Sequence, residues 1–179
     1  MAAREDWELH QVDVVGAYLQ GDLGEELYVT PPNGTHTDSD QCFWRLRRPL
    51  YGLKQAGRQW KLKLDEAMKK LGFTSSSADD CLYTKRRETA MEVVVLVYVD
   101  DMAVAAPQAQ GVIWFKMELG KVFHITNLGE LKHILGIWVQ RNHTTRTIRL
   151  DQTAYIQVLL SRHGMEGSMP VATPTVVKD

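Results

Sequence analysis

The chain has 179 residues, a formal net charge of −1, and 44% hydrophobic and 24% charged side chains. That composition excludes disorder as the whole description and suits one domain with a short appendage. No apolar run approaches the roughly 20 residues of a membrane span, and Met1–Asp6 has no apolar signal core. Two cysteines, Cys42 and Cys81, make neither a disulfide framework nor a metal cluster. A reduced, intracellular protein, cytoplasmic or nuclear and without a membrane partner, is expected.

Taken in chain order, Leu9–Val15 reads as a strand turning at Gly16, and Glu26–Thr30 as a second strand ended by Pro31-Pro32-Asn33-Gly34. Residues 35–40 form a polar loop and Cys42–Leu46 a further strand. Pro49 marks the boundary of a helix over 50–71, in which Leu53, Trp60, Leu64, Met68 and Leu71 recur at helical spacing. Cys81–Lys85, Glu92–Tyr98 and Met102–Ala106 are strand-like, and Gly111–Val122 suits a helix. Lys132–Gln140 and Arg146–Leu150 read as a hairpin, Asp151 as the cap of a helix over Gln152–His163, and the remainder as a loose tail. Strands and helices mix without a strict βα repeat, which predicts an α+β fold with a largely antiparallel sheet and helices on one face.

Charge is uneven. Residues 1–40 carry one basic and nine acidic side chains, whereas residues 41–90 carry twelve basic and five acidic. Arg45, Arg47, Arg48, Lys54, Arg58, Lys61, Lys63, Lys69 and Lys70 form either a surface for an anionic partner or an ordinary solvated face.

The most informative stretch is Val93–Val104. Its first seven residues are nearly all β-branched or aromatic, as in a central strand, yet Asp100-Asp101 stands at the expected hairpin tip. Adjacent carboxylates there are poor turn chemistry and repel each other. An inert acidic turn is one explanation. The other is a site for a divalent cation such as Mg²⁺, which prefers hard oxygen ligands. A two-metal site needs a further carboxylate, and Asp13 is the candidate if its strand lies beside 93–99.

These residues resemble a family. Tyr98-Val99-Asp100-Asp101 is similar to the catalytic box of retroelement reverse transcriptases, and the flanking text narrows the likeness to the Ty1/copia class of LTR retrotransposons. Gln11–Val14 with Ala17–Leu23 and the sequel Tyr28-Val29…Pro32-Asn33-Gly34 resembles that class's first catalytic motif. Leu50–Trp60 resembles its template- and nucleotide-contacting motif, Asn127–Ile137 its late palm motif, and Gln152…Tyr155-Ile156 the start of its thumb.

The resemblance implies a polymerase palm, with a ferredoxin-like sheet over 1–150 and a thumb-like start over 151–179. It implies RNA- and DNA-templated DNA synthesis with Mg²⁺ or Mn²⁺, a nucleic-acid template-primer and a dNTP as partners. By the same resemblance Asp13 and Asp100 would hold the metals, and Asp101 would complete the triad less directly. Tyr18 would lie under the incoming sugar and exclude a 2′-OH by bulk. Lys54, Gln55 and Arg58 would lie near template or nucleotide, with Tyr98 in the catalytic box.

The chain departs from the family in several places. Gly57 stands where proline is usual, and Val15-Gly16 where a lysine and a small hydroxyl residue are typical. Residues 1–12 do not supply the fingers region, so reduced polymerisation and self-association through the bared surface are expected. A non-polymerising nucleic-acid- or protein-binding domain and a metal-dependent nuclease are the competing readings.

Overall fold

The computed structural model describes residues 1–35, 42–86 and 92–169. Most of the expected 35–40 loop, with His36, and the 170–179 part of the expected tail lie outside them.

Strand β1 (Glu8–Val14) leads through Gly16, at φ +61°, into a 3-10 turn at Ala17–Gln20. Strands β2 (Tyr28–Val29) and β3 (Trp44–Arg45) form a small ribbon, shorter than the sequence predicts. Helix α1 spans Ala56–Lys70 and does not begin at residue 50. Gly52 takes φ +94°, and the Leu53 and Ala56 N–H groups donate to Leu50 and Leu53 carbonyls. Two tight turns therefore occupy 50–55, and Leu53 extends the helical spacing only by coincidence. Strands β4 (Thr74–Ser75), β5 (Leu82–Lys85), β6 (Val93–Tyr98) and β7 (Asp101–Ala106) follow, then helix α2 (Ala109–Gly120).

Beyond α2 come β8 (Ile125–Glu130), β9 (His133–Ile134), β10 (Ile137–Asn142) and β11 (Thr147–Asp151). Helix α3 (Thr153–Arg162) starts where the Asp151 carboxylate accepts the Thr153 N–H at 2.8 Å. The N-cap position itself is Gln152, one residue later than expected, and Asp151 supports the helix start from the position before it.

The main sheet has six strands in the order β4-β5-β6-β7-β1-β8, every pairing antiparallel. Strand β6 is interior, as its β-branched run predicts, but only one of its faces is sealed. Val93, Val95 and Val97 are buried while Leu96 and Tyr98 are exposed. The buried face joins Val12 and Val14 of β1 and Met102, Val104 and Ala106 of β7 to Trp60, Leu64 and Met68 of α1. Val112, Phe115 and Leu119 of α2 complete the same core. Alternation along β1 and β7 then leaves Gln11, Asp13 and Asp101 on the opposite, open face.

Helix α2 lies close against the sheet. A Cβ added at Gly111 would sit 2.9 Å from the Ala106 Cβ and 3.3 Å from a Val93 methyl. Gly111→Ala is expected to cost about 1–2 kcal/mol, because overpacking exceeds the gain in helix propensity. A lower urea midpoint at unchanged slope is the readout.

Strands β9, β10 and β11 form a separate three-stranded sheet. The side chain of Arg141, 3% exposed, ties it to the N-terminal turn through Asp6 at 2.6 Å and the Ala2 carbonyl at 3.2 Å. Helix α3 buries none of its residues. Among the described residues no helix is long and apolar enough to cross a membrane. Cys81 is exposed and Cys42 half-buried, so neither is the buried apolar residue that cysteine usage suggests.

Candidate active site at the β1 and β6–β7 strand ends

Asp13, the next-to-last residue of β1, lies directly opposite Asp101, the first residue of β7. The neighbour of β1 is therefore β7 and not the 93–99 strand, and the carboxylates still converge at one end of the sheet. One step further along, the Val14 N–H donates to the Asp100 carbonyl at 2.9 Å. The hairpin tip is Val99-Asp100, one residue earlier than Asp100-Asp101, because Tyr98 pairs with Asp101. Val99 carries φ +56°, an uncommon conformation for a β-branched residue. The Trp60 indole N–H donates to its carbonyl at 2.8 Å.

Burial, and then the Asp100 and Asp101 carboxylates, push the Asp13 pKa above its ordinary value. Asp13 thus senses both neighbouring carboxylates. Asp101 is partly committed elsewhere: the amide of the buried Gln11 donates to its Oδ1 at 3.0 Å. Among the described residues no set of three or more His, Cys, Asp or Glu side chains is already gathered to hold a metal ion. Magnesium needs less than that. One or two carboxylates, with waters and phosphates, commonly complete its octahedron. Asp13 and Asp100 supply hard oxygens of the right kind, and a cation would relieve their mutual repulsion.

Tyr18 leaves the 3-10 turn and meets Tyr51 with ring centroids 4.6 Å apart and planes tilted by 47°. Behind it lies the first turn of α1, where a Cβ on Gly57 would be 4.0 Å from the Tyr18 ring. The Tyr51 pKa is raised, first by burial and then by Asp100, Tyr18 and Asp13; a hydrogen bond with the Tyr18 backbone acts the other way. Its phenol therefore belongs to the acidic cluster.

The acidic first third and the basic middle third largely neutralise each other. Lys63 and Arg48 meet Asp22 at 2.8 and 3.6 Å, and Arg45 meets Glu26 at 3.1 Å. Lys61 meets Asp65 at 2.6 Å and Lys70 meets Glu66 at 2.7 Å. Gln55, placed at the start of α1, donates to Glu25 at 2.8 Å. Among the described residues, Arg47, Lys54, Arg58 and Lys69 have no acidic partner, and all four are exposed. The expected surface for an anionic partner is thus narrower than its nine basic residues suggest.

The sequence matches the family described as "Reverse transcriptase (RNA-dependent DNA polymerase)" over residues 1–177. The chain belongs to that family. Its relatives place it in the copia-type branch. It is 38% identical over 97% of its length to a retrovirus-related Pol polyprotein from transposon TNT 1-94 of Nicotiana tabacum. It is 34% identical over 97% of its length to the corresponding polyprotein from transposon RE1 of Arabidopsis thaliana. A transposon Ty1-BL Gag-Pol polyprotein of Saccharomyces cerevisiae is 29% identical over 73% of the chain. The match covers 13%, 12% and 7% of those proteins, so the chain spans about an eighth or less of their length.

This reverse transcriptase chain brings Asp13, Asp100, Asp101 and Tyr18 to one end of its main sheet. Tyr98 lies on the open face beside them, 58% exposed. Lys54 and Arg58 bracket the start of α1, and Gln55 faces Glu25. Three participants escape residue-by-residue reading. Gln11 orients Asp101, Tyr51 supports Tyr18, and Trp60 holds the turn. Their sequence signal was membership of the same motifs, since a lone Gln, Tyr or Trp at these positions reads as packing.

Proposed function

We propose that this reverse transcriptase region is a polymerase palm that joins a primer 3′ oxygen to the α-phosphorus of a dNTP, with pyrophosphate as leaving group. The observation that carries this is the opposition of Asp13 and Asp101 with Asp100 in the adjoining turn. Support for the palm reading comes from the strand order β6-β7-β1-β8, with α1 and α2 packed on one face, as a ferredoxin-like sheet would have them. By the same reading α3 begins a thumb.

In this site Asp13 and Asp100 are the residues that would hold Mg²⁺ or Mn²⁺. When bound, such ions would supply neutralisation of the triphosphate charge. Asp101, held by Gln11, shapes the field around the other two. Tyr18, braced by Tyr51, forms a wall at the sugar. Lys54 and Arg58 meet phosphates of the template-primer or the nucleotide.

Primer extension on RNA and DNA templates with Mg²⁺ or Mn²⁺ tests the reading. Extension lost in Asp100→Asn supports it. Strand cleavage by the same aspartates points to a nuclease, and tight binding without turnover to a binding domain.

Electrostatics gives a further expectation. Each of Lys54→Ala and Arg58→Ala is expected to reduce the slope of log affinity against log salt by about 1, as for one lost phosphate contact. Lys63→Ala is expected to change it less, because Asp22 already balances that charge. Filter binding between 50 and 200 mM salt, about the range over which such slopes are read, distinguishes the two classes.

A further inference from the structure

We propose that Trp60 is a positioning residue for Asp100, acting through the peptide plane of the Val99-Asp100 turn. The inference rests on the polymerase reading above and goes beyond it. Trp60 is 3% exposed and packs edge-on against Phe123, with centroids 5.1 Å apart. Those contacts alone describe an ordinary core aromatic. Its N–H, however, is directed to the Val99 carbonyl at 2.8 Å, and Val99 stands in the turn between β6 and β7, outside the strand pairing.

A peptide unit is planar, so fixing the Val99 carbonyl also fixes the direction of the Asp100 N–H and Cα. The next peptide plane is fixed too, since the Asp100 carbonyl accepts the Val14 N–H at 2.9 Å. Asp100 is therefore held from both sides, by α1 through Trp60 and by β1 through the residue following Asp13. Val99 needs such a hold. Its φ of +56° is strained for a β-branched side chain and persists only where surroundings over-determine it.

The anchor itself is fixed in place. A Cβ on Gly21 would lie 3.2 Å from the Trp60 backbone nitrogen, so the loop following Tyr18 packs directly on this turn of α1. Loss of the indole N–H leaves the ring's apolar packing intact and frees the turn to rotate. The effect falls on the carboxylate that binds the cation.

The test replaces Trp60 with β-(3-benzothienyl)alanine, which keeps the bicyclic shape and removes the N–H, in the full 179-residue chain. Mn²⁺ affinity is measured by electron paramagnetic resonance and steady-state extension by dNTP titration. The expected result is roughly tenfold weaker Mn²⁺ binding, within the range for residues that orient metal ligands. A comparable fall in kcat and a dNTP KM within twofold are expected with it, together with a small fall in melting temperature from the lost hydrogen bond to the Val99 carbonyl.

Native binding of Mn²⁺ that the analogue leaves within twofold overturns the positioning role and spares the polymerase reading. A native chain that binds no Mn²⁺ overturns that reading and this role together. The native chain gives a second measurement that needs no variant. The Trp60 indole ¹⁵N–¹H resonance is expected to exchange slowly with solvent and to broaden when Mn²⁺ is added. Fast exchange, or a line that Mn²⁺ leaves unchanged, overturns the role.

Discussion

An Asp100→Asn chain is expected to lose primer extension by roughly 10³-fold or more, the scale on which removal of preorganised charge stabilisation acts at a reacting group. The substitution keeps the side chain's size and leaves the backbone bond from Val14 to the Asp100 carbonyl untouched. Thermal unfolding should therefore change little while Mn²⁺ affinity falls with the activity. Asp13→Asn is expected to match it in activity. Asp101→Asn is expected to cost less, about tenfold, because its amide oxygen can still accept the Gln11 N–H and it is the less direct of the three.

The same cluster makes a prediction about stability. The Asp13 pKa is raised by burial and by Asp100 and Asp101. A carboxylate whose folded-state pKa is raised weakens the fold above that pKa, and ceases to do so as pH falls through it. Metal-free Asp13→Asn is thus expected to melt above the parent chain at pH 7, with the gap closing as Asp13 takes up its proton. In Asp100→Asn one repelling charge is gone, so Asp13 should titrate lower, as read from its carboxyl ¹³C shift. Loss of function alongside the gain in stability separates a working acidic cluster from an inert one, in which the same gain would come with no functional loss.

Local chemistry made parts of this site legible and left others hidden. The β-branched run at 93–99 marked an interior strand, and two aspartates after it marked a conflict between local rules. The tip was misplaced by one residue. Nothing in Val99 announces a left-handed φ; a hydrogen bond from Trp60, 39 positions away, makes that conformation tenable. Strand neighbours were equally invisible, since alternation says which face a residue takes and not which strand lies beside it. Strand β8 was missed because Thr126-Asn127-Leu128-Gly129 lacks the β-branched alternation of a strand. It is held by pairing with β1 across a bulge between Gln11 and Val12. The charge reading failed for a related reason. Lys63 and Asp22 are 41 positions apart, and only the fold reveals that they share one ion pair. The motifs, by contrast, single out the acids and Tyr18, which the fold gathers at one end of the main sheet, an arrangement that periodicity does not encode.

Tyr18→Ala is expected to relax sugar selection, raising the use of ribonucleotides relative to deoxyribonucleotides by about 10²-fold. That is the scale on which a pocket without a hydrogen-bond partner discriminates against an added hydroxyl. The argument is steric. The Tyr18 ring is held between Tyr51, 4.6 Å away, and the start of α1 at Gly57, so it cannot retreat easily from a 2′-OH. No described residue hydrogen-bonds its phenol side chain, so Tyr18→Phe should retain discrimination within about twofold, the wall being the ring itself. Tyr51→Leu removes the bracing ring while leaving Tyr18 in place. It should give an intermediate loss, about tenfold, expressed mainly in the KM for deoxyribonucleotides. Steady-state incorporation of paired rNTP and dNTP substrates measures all three. A Tyr18→Ala chain that keeps the parent's ratio would remove this residue from the sugar site and leave its contact with Tyr51 as packing alone.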